Sequence, residues 1–368
     1  MRIIHLVRAT TWGGGEQYAK DLCDYSAEAG HRVTVFTRGI PQVDNRFTCP
    51  GIQREELPLG GVFDFVSPRK LAKWINGVTD REVFVHVHTF KDAEIVARAK
   101  RIVGKRKKIV LVCTRHLVKR GKKSFRWKRI YSALDRLIFV SELAKSEFLS
   151  SNPPIESSKL TVIHNSVRVP KHEPVETVEE QKEIRLLYTG RVSEEKGIDV
   201  LIKSLAIIKN TRLKLIIAGT GPESLTDSLK KLASELGVSD RIEWTGFLED
   251  VYSEIRSADI CVAPSRWREP FGLTIIEFMS QGKPVITTSN GDKKEIITDG
   301  EDGLLEEPDT SEALAEAIAR LVSDESLRMR LGDQAAKTFN SRFTYPVFFQ
   351  KIITAYEQAA GSKGPGRE

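Results

Sequence analysis

Short runs rich in Val and Ile, nearly continuous rather than alternating with polar residues, recur along this chain between stretches of helical spacing. An alternating strand can leave one face in water. A strand without regular polar positions must be covered on both faces, which means parallel pairing with helical crossovers. One series of runs falls at residues 3–7, 33–37, 83–87, 109–114, 137–140 and 160–164, and a second at 186–189, 213–218, 242–245, 260–263 and 285–288. Between them, residues 170–183 hold Pro170, Pro174, five glutamates and no apolar period, the signature of a linker. The prediction is an α/β chain of two doubly wound domains facing a central cleft: residues 1–168, a linker at 169–183, and residues 184–344. At 368 residues the chain has the length that two such domains need. Further helices are predicted near 222–236, 272–281, 311–323 and 345–359, and a disordered tail at 361–368.

In such sheets ligands bind beyond the carboxyl ends of the strands, so the chemistry belongs in the loops that follow them. The loop and helix after the 260–263 strand carry Glu269, Phe271, Gly272, Leu273, Thr274 and Glu277. Free N–H groups at a helix start attract phosphate, and carboxylates beside them accept hydrogen bonds from hydroxyls. Together they point to a phosphate ester that carries sugar hydroxyls. Arg191 and Lys196, after the 186–189 strand, offer a planar fork and a point charge for a pyrophosphate. The glycines of residues 219–221 and of Trp12-Gly13-Gly14-Gly15-Glu16 allow close backbone approach, and the latter turn matches neither common nucleotide-binding fingerprint. His86 and His88 share one strand face, and His116 follows the next strand. The histidines, cysteines and carboxylates have no metal-binding spacing, and Cys23, Cys49, Cys113 and Cys261 are expected as free thiols.

The run of residues 269–277 with a glutamate at each end, the Arg191/Lys196 pair after a glycine, and the Gly14–Glu16 turn together resemble the family 4 glycosyltransferases. Along about residues 1–358 the likeness takes in His88, Thr114-Arg115-His116, Val140-Ser141-Glu142 and Pro264-Ser265. The resemblance implies the GT-B fold, two Rossmann-like domains, with the helix at 345–359 returning to the first. It implies a retaining, metal-independent transfer, without cofactor, from a nucleotide sugar, a UDP-sugar being favoured. Glu277 would hold the ribose, Glu269 the donor sugar, and Arg191 and Lys196 the diphosphate. Phe247 would stand near the base, Phe271, Gly272, Leu273 and Thr274 would line the donor site, and Gly14 and Gly15 would approach the phosphates. His116 would be the active-site histidine, with His88 and Arg115 on the acceptor side. Asn290-Gly291-Asp292 departs from the usual paired glycines, and Asn165-Ser166-Val167 from the usual Asn-Gly-Val. The alternatives are a nucleotide-sugar 2-epimerase of the same fold and a non-catalytic nucleotide-sugar binding protein.

Charge is unevenly divided: residues 1–168 hold 31 basic and 16 acidic residues, and the remainder 26 and 34. No acid occurs between Glu94 and Asp135, and residues 98–129 hold fifteen Lys and Arg interleaved with Phe125 and Trp127. This segment is expected to face an anionic membrane surface or a lipid-linked glycan acceptor, since each basic residue near anionic lipid contributes about 1 kcal/mol. With no nucleic-acid-binding motif, nucleic acid is not the expected partner. With no apolar run long enough to span a bilayer, the expectation is a cytoplasmic protein, peripheral on the inner membrane's cytoplasmic face, in lipopolysaccharide or other envelope polysaccharide biosynthesis.

Overall fold

The computed structural model describes residues 1–61, 64–170, 183–210 and 212–361. The chain forms two compact units, one comprising Met1–His164 and the chain from Phe348 onward, the other Asn165–Val347. Residues 171–182 of the predicted linker and 362–368 of the predicted tail lie outside the described residues.

The first unit runs β1 (Arg2–Leu6), α1 (Gly14–Glu28), β2 (Arg32–Thr37), α2 (Pro41–Asp44), β3 (Ile52–Glu56), α3 (Val66–Gly77), β4 (Glu82–Val87), α4 (Phe90–Val103), β5 (Lys108–Arg115), α5 (Phe125–Ala133), β6 (Arg136–Phe139), α6 (Glu142–Leu149) and β7 (Leu160–Val162). The second runs β8 (Ile184–Thr189), α7 (Ile198–Ile207), β9 (Leu213–Ala218), α8 (Glu223–Glu235), β10 (Ile242–Gly246), α9 (Val251–Ser257), β11 (Ile260–Ala263), α10 (Leu273–Ser280), β12 (Val285–Thr288), α11 (Lys293–Ile296), β13 (Leu304–Glu306), α12 (Ser311–Ser323) and α13 (Glu325–Arg342). The last helix, α14 (Tyr345–Ala359), starts beside Pro346, whose missing N–H costs nothing in a first turn.

Both sheets are parallel in every strand pairing among the described residues. Their orders are β3-β2-β1-β4-β5-β6-β7 and β10-β9-β8-β11-β12-β13. In each, the order reverses at one place, between β1 and β4 and between β8 and β11, and a crevice opens at such a reversal. The central strands are buried on both faces, as their near-continuous apolar runs require. Helices cover them with one apolar stripe each; α7 buries Leu201 and Leu205, each stabilising by about 1.5–3 kcal/mol relative to exposure.

Two strands escape the apolar-run signal. β3 has the sequence Ile-Gln-Arg-Glu-Glu and stands at a sheet edge, where half-exposed polar residues are tolerated; β13 is an edge strand of three residues. In the C-terminal part of the first unit, Tyr356 of α14 donates to or accepts from His86 Nδ1 at 2.7 Å, and Phe348 packs edge-on against Tyr18.

Candidate functional site

In the second unit the loops after β8 and β11 meet at the reversal point and are stitched together by hydrogen bonds. The backbone N–H groups of Arg266 and Trp267 and the Ser265 hydroxyl all donate to Glu195 O. The Arg266 guanidinium reaches Asp199, Asp309 and Glu194 O. These bonds fix the turn bearing Lys196 against the loop bearing Glu269, and Lys196 Nζ lies 2.6 Å from Glu269 Oε1 with both side chains largely buried. The glycines of residues 219–221 close the other side: a Cβ on Gly219, whose φ is +157°, would lie 1.8 Å from Gly190 O. Only glycine allows the two turns to touch in this way.

Two adjoining cavities result. One, of about 320 Å³, is lined by Arg191, Phe247, Thr274 and Glu277, with Phe247 standing exposed at its rim. The other, a narrow space of about 10 Å³, is lined by Lys196, Glu269, Gly272, Thr274 and Lys293. Thr274 belongs to both and sits in the first turn of α10, whose N-cap, Gly272, offers no side-chain cap. Leu273 N–H donates to Phe271 O and Ile275 and Ile276 N–H to Gly272 O, so the Thr274 N–H is the donor of that turn left for an anion. Burial pushes the Glu277 carboxyl up to about 7.

The structure thus places Arg191, Phe247, Thr274 and Glu277 around the first of these spaces and Lys196, Glu269, Gly272 and Thr274 around the second. It corrects Phe271, whose side chain is buried against Phe343 at 6.1 Å between ring centres, so the ring anchors the turn instead of lining a cavity. Leu273 opens α10 but lines neither cavity.

Two residues that sequence reasoning missed stand at this site. Lys293 is fully buried, and its Nζ donates to Ser265 O at 2.9 Å, to Thr288 Oγ1 at 2.7 Å, to Trp267 O and to Asn290 Oδ1. It pins the loop that carries Glu269, and burial lowers its pKa to about 8. Asp292 is buried with neither carboxylate oxygen bonded, and burial pushes its carboxyl up to about 7, the charge of Glu269 adding to the rise. The Asn-Gly-Asp departure in this turn was the available signal, but only packing shows that both side chains turn inward.

In the first unit four histidines stack at the ends of β1, β4 and β5. Ring centres lie 5.3 Å apart for His5 and His86, 4.9 Å for His86 and His88, and 5.7 Å for His88 and His116. Burial holds His116 down to about 4, His5 to about 3, and both others well below the ordinary value, so the stack is neutral at pH 7. His86 is internal, bridging Tyr356 and Thr114 at 2.7 Å each, whereas His88 reaches a strand-end cavity and His116 stacks behind it against Tyr18. Gly15 lines that cavity, and Gly14 opens α1. Arg115 does not join this group. Its guanidinium lies over Phe90 and Phe148 at 5.3 and 5.1 Å, on the opposite sheet face, because successive strand residues alternate.

The basic segment also differs from its sequence reading. Acids distant in sequence compensate part of it: Lys100 pairs with Asp135, Lys108 with Glu82, Arg120 with Glu147 and Arg126 with Glu94. Phe125 nevertheless stands 75% exposed among the remaining cations. No helix among the described residues is long and apolar enough to cross a membrane, and no three His, Cys, Asp or Glu side chains there group as metal ligands. All four cysteines are free thiols.

Comparison with known proteins agrees with this geometry. The sequence profile described as glycosyl transferases group 1 matches residues 171–338, and that of glycosyltransferase family 4 matches residues 12–169. The lipopolysaccharide core biosynthesis glycosyltransferase LpsE of Rhizobium meliloti is 36% identical over 174 residues, covering 47% of this chain and 48% of LpsE. The chain thus spans about half the length of such curated relatives. N-acetyl-alpha-D-glucosaminyl L-malate synthase of Bacillus anthracis is 25% identical, with 94% of this chain and 93% of that one covered. Among solved structures, a Rickettsia africae glycosyltransferase superposes with a TM-score of 0.84 at 23% identity, covering 98% and 99%. Anabaena HepE in complex with UDP superposes at 0.81 and 20% identity, covering 97% and 100%. The two-domain parallel α/β architecture is therefore the GT-B fold.

Proposed function

Since this chain belongs to the family 4, group 1 glycosyltransferases, we propose that it transfers a hexosyl unit from a nucleotide sugar to a hydroxyl of a glycan or lipid-linked acceptor, in cell-envelope polysaccharide synthesis. The observation that carries this reading is the convergence of three cations, two carboxylates and an uncapped helix start on adjoining cavities in the second unit. The assignment of a UDP-sugar as donor is supported by the UDP complex of HepE. Glu277 accepts hydrogen bonds from the ribose and Glu269 from the donor sugar, while Arg191 and Lys196 face the diphosphate. As the bond from sugar C1 to the phosphate oxygen breaks, negative charge grows on the leaving diphosphate, and preorganised cations and N–H groups stabilise it in place of a metal. The acceptor hydroxyl forms the new bond to C1 on the same face, and its proton passes to the departing phosphate oxygen, retaining the configuration. His116 lies on the acceptor side.

The basic segment at 98–129, with Phe125 exposed, is the proposed contact with an anionic bilayer. Flotation with vesicles of anionic or neutral lipid tests it: salt-sensitive binding to anionic vesicles alone is expected, and equal binding to both refutes it.

The reaction itself is tested by incubating the protein with radiolabelled UDP-glucose, and with UDP-N-acetylglucosamine, in the presence of envelope extract, with and without EDTA. Label moving into glycan, unaffected by EDTA and abolished by Glu269→Ala, is the expected result. Epimerised donor appearing without any acceptor would favour the epimerase alternative, and nucleotide-sugar binding without turnover the non-catalytic one.

A further inference from the structure

The cavity at the reversal point of the first unit holds charges that the donor chemistry does not use. It measures about 430 Å³ and is enclosed by the ends of β1 and β4 and the start of α1. Arg8 is locked at its wall: Nε–H donates to Asp92 Oδ1 at 2.7 Å and Nη1–H to Gly60 O at 2.7 Å. Asp92 is fully buried and is itself held by the Thr89 hydroxyl at 2.7 Å. With two of its three nitrogens bonded, the guanidinium plane is fixed, and the third, Nη2, is buried with no partner.

Arg38 and Lys91 line the same cavity, exposed, and make no ion pair among the described residues. The acids facing them are Asp92, already engaged by Arg8, and Glu16. The N-terminus of the 15-residue helix α1 opens here with Gly13 as a cap that has no side chain to bond its N–H groups, whereas α4 beside it is capped by Thr89. A pocket for a neutral sugar would use carboxylates and amides, which accept from hydroxyls. Three cations, one of them held in a fixed orientation, together with an uncapped helix start, are the apparatus for an oxyanion.

We propose that this cavity binds an acceptor through an oxyanion that the acceptor carries, a phosphate monoester or a carboxylate, so that the sugar is moved onto an already anionic molecule. Arg38 supplies a forked contact, Lys91 a point charge and Arg8 a fixed positive wall, and His88 stands beside them at the strand end. This inference rests on the transferase reading of the second unit, but its test does not.

Calorimetric titration of the full chain at low salt with glucose 6-phosphate, with glucuronate and with glucose is the experiment, and UDP-glucose is titrated in parallel. One or both of the charged sugars should bind at least about tenfold more tightly than glucose, the worth of one charge-assisted contact, and the tighter of the two identifies the oxyanion. Arg38→Ala combined with Lys91→Ala removes two exposed side chains and should weaken that binding by about tenfold or more while leaving UDP-glucose affinity unchanged. Equal binding of all three sugars, or undiminished binding by the double variant, would overturn the proposal. So would a parallel loss of UDP-glucose affinity, since the cations would then serve the nucleotide. Failure of the unsubstituted protein to bind UDP-glucose would instead count against the proposed donor and leave the oxyanion result standing.

Discussion

Glu277→Gln, followed across pH, interrogates the donor site through one group. Glu277 lies one turn into α10 and shares its cavity with Arg191 and Phe247. Burial raises its carboxyl from 4.5 to about 7. That difference of about 2.5 units corresponds to about 3.4 kcal/mol against the ionised form. A ribose diol needs the carboxylate, which accepts on both oxygens. Near a pKa of 7, about one tenth of the carboxyls are ionised at pH 6 and about nine tenths at pH 8, so the Kd for UDP-glucose should fall about tenfold over that interval. UDP-glucose itself does not titrate there. At pH 8 the Gln variant should bind about 10- to 150-fold more weakly, the range for a hydrogen bond to a charged acceptor, and its profile should be flat. Stability moves the other way. A carboxyl whose folded pKa lies above its unfolded value contributes fully below about pH 4.5 and loses that contribution as the pH rises through 7. The Gln variant should therefore be the more stable above pH 7, by at most about 3 kcal/mol. Asp292 titrates in the same window, so Asp292→Asn is the control and should keep the slope. Isothermal calorimetry reads the affinities and urea unfolding the stabilities. A flat profile in the unsubstituted protein, or an undiminished slope in Glu277→Gln, would refute the assignment of Glu277 to the donor.

Lys196→Ala should lower the rate of sugar transfer by about 10²–10³, as loss of a preorganised donor to developing charge does, with Lys196→Arg recovering part of it; an unchanged kcat would remove Lys196 from the leaving-group site. Tyr356→Phe deletes one hydroxyl without opening a cavity and leaves the buried His86 Nδ1 unpaired, a cost of about 1–3 kcal/mol that should lower the urea midpoint at constant m. A change below about 0.5 kcal/mol would show that the bond contributes nothing net. Gly219→Ala places a methyl group against Gly190 O, and the forced separation of the two turns should cost about 1–3 kcal/mol and weaken UDP-glucose binding; wild-type affinity would show the turns to be independent.

Much of this molecule is local information. A parallel strand buried on both faces is mostly apolar, so every interior strand stands out in the sequence, and the edge strands β7 and β10 with them; the two that do not, polar β3 and three-residue β13, are both edge strands, free of that demand. The chemistry of the second unit is similarly legible, because Arg191, Lys196, Glu269 and Glu277 all follow strand ends and the fold brings strand ends together. What sequence cannot carry is the direction in which a side chain turns and what it meets far along the chain. Thus Arg115 and His116, neighbours in sequence, serve opposite sheet faces. Phe271 packs inward within the predicted site.

The same distinction governs the charges. From sequence, residues 98–129 form a run without acids; in the folded protein Glu82, Glu94, Asp135 and Glu147 reach four of its cations. Lys293 and Asp292 look like ordinary surface charges in an Asn-Gly-Asp-Lys turn, yet both are buried beside Glu269. Periodicity and turn chemistry act between near neighbours and are written into the sequence; ion pairs and desolvation depend on distances between residues that only chain reversal brings together. The sequence by itself determined two doubly wound units and the residue types of a donor site. The tertiary structure decided which charges are paired, which are buried, and which, like Arg38 and Lys91, remain open to a ligand.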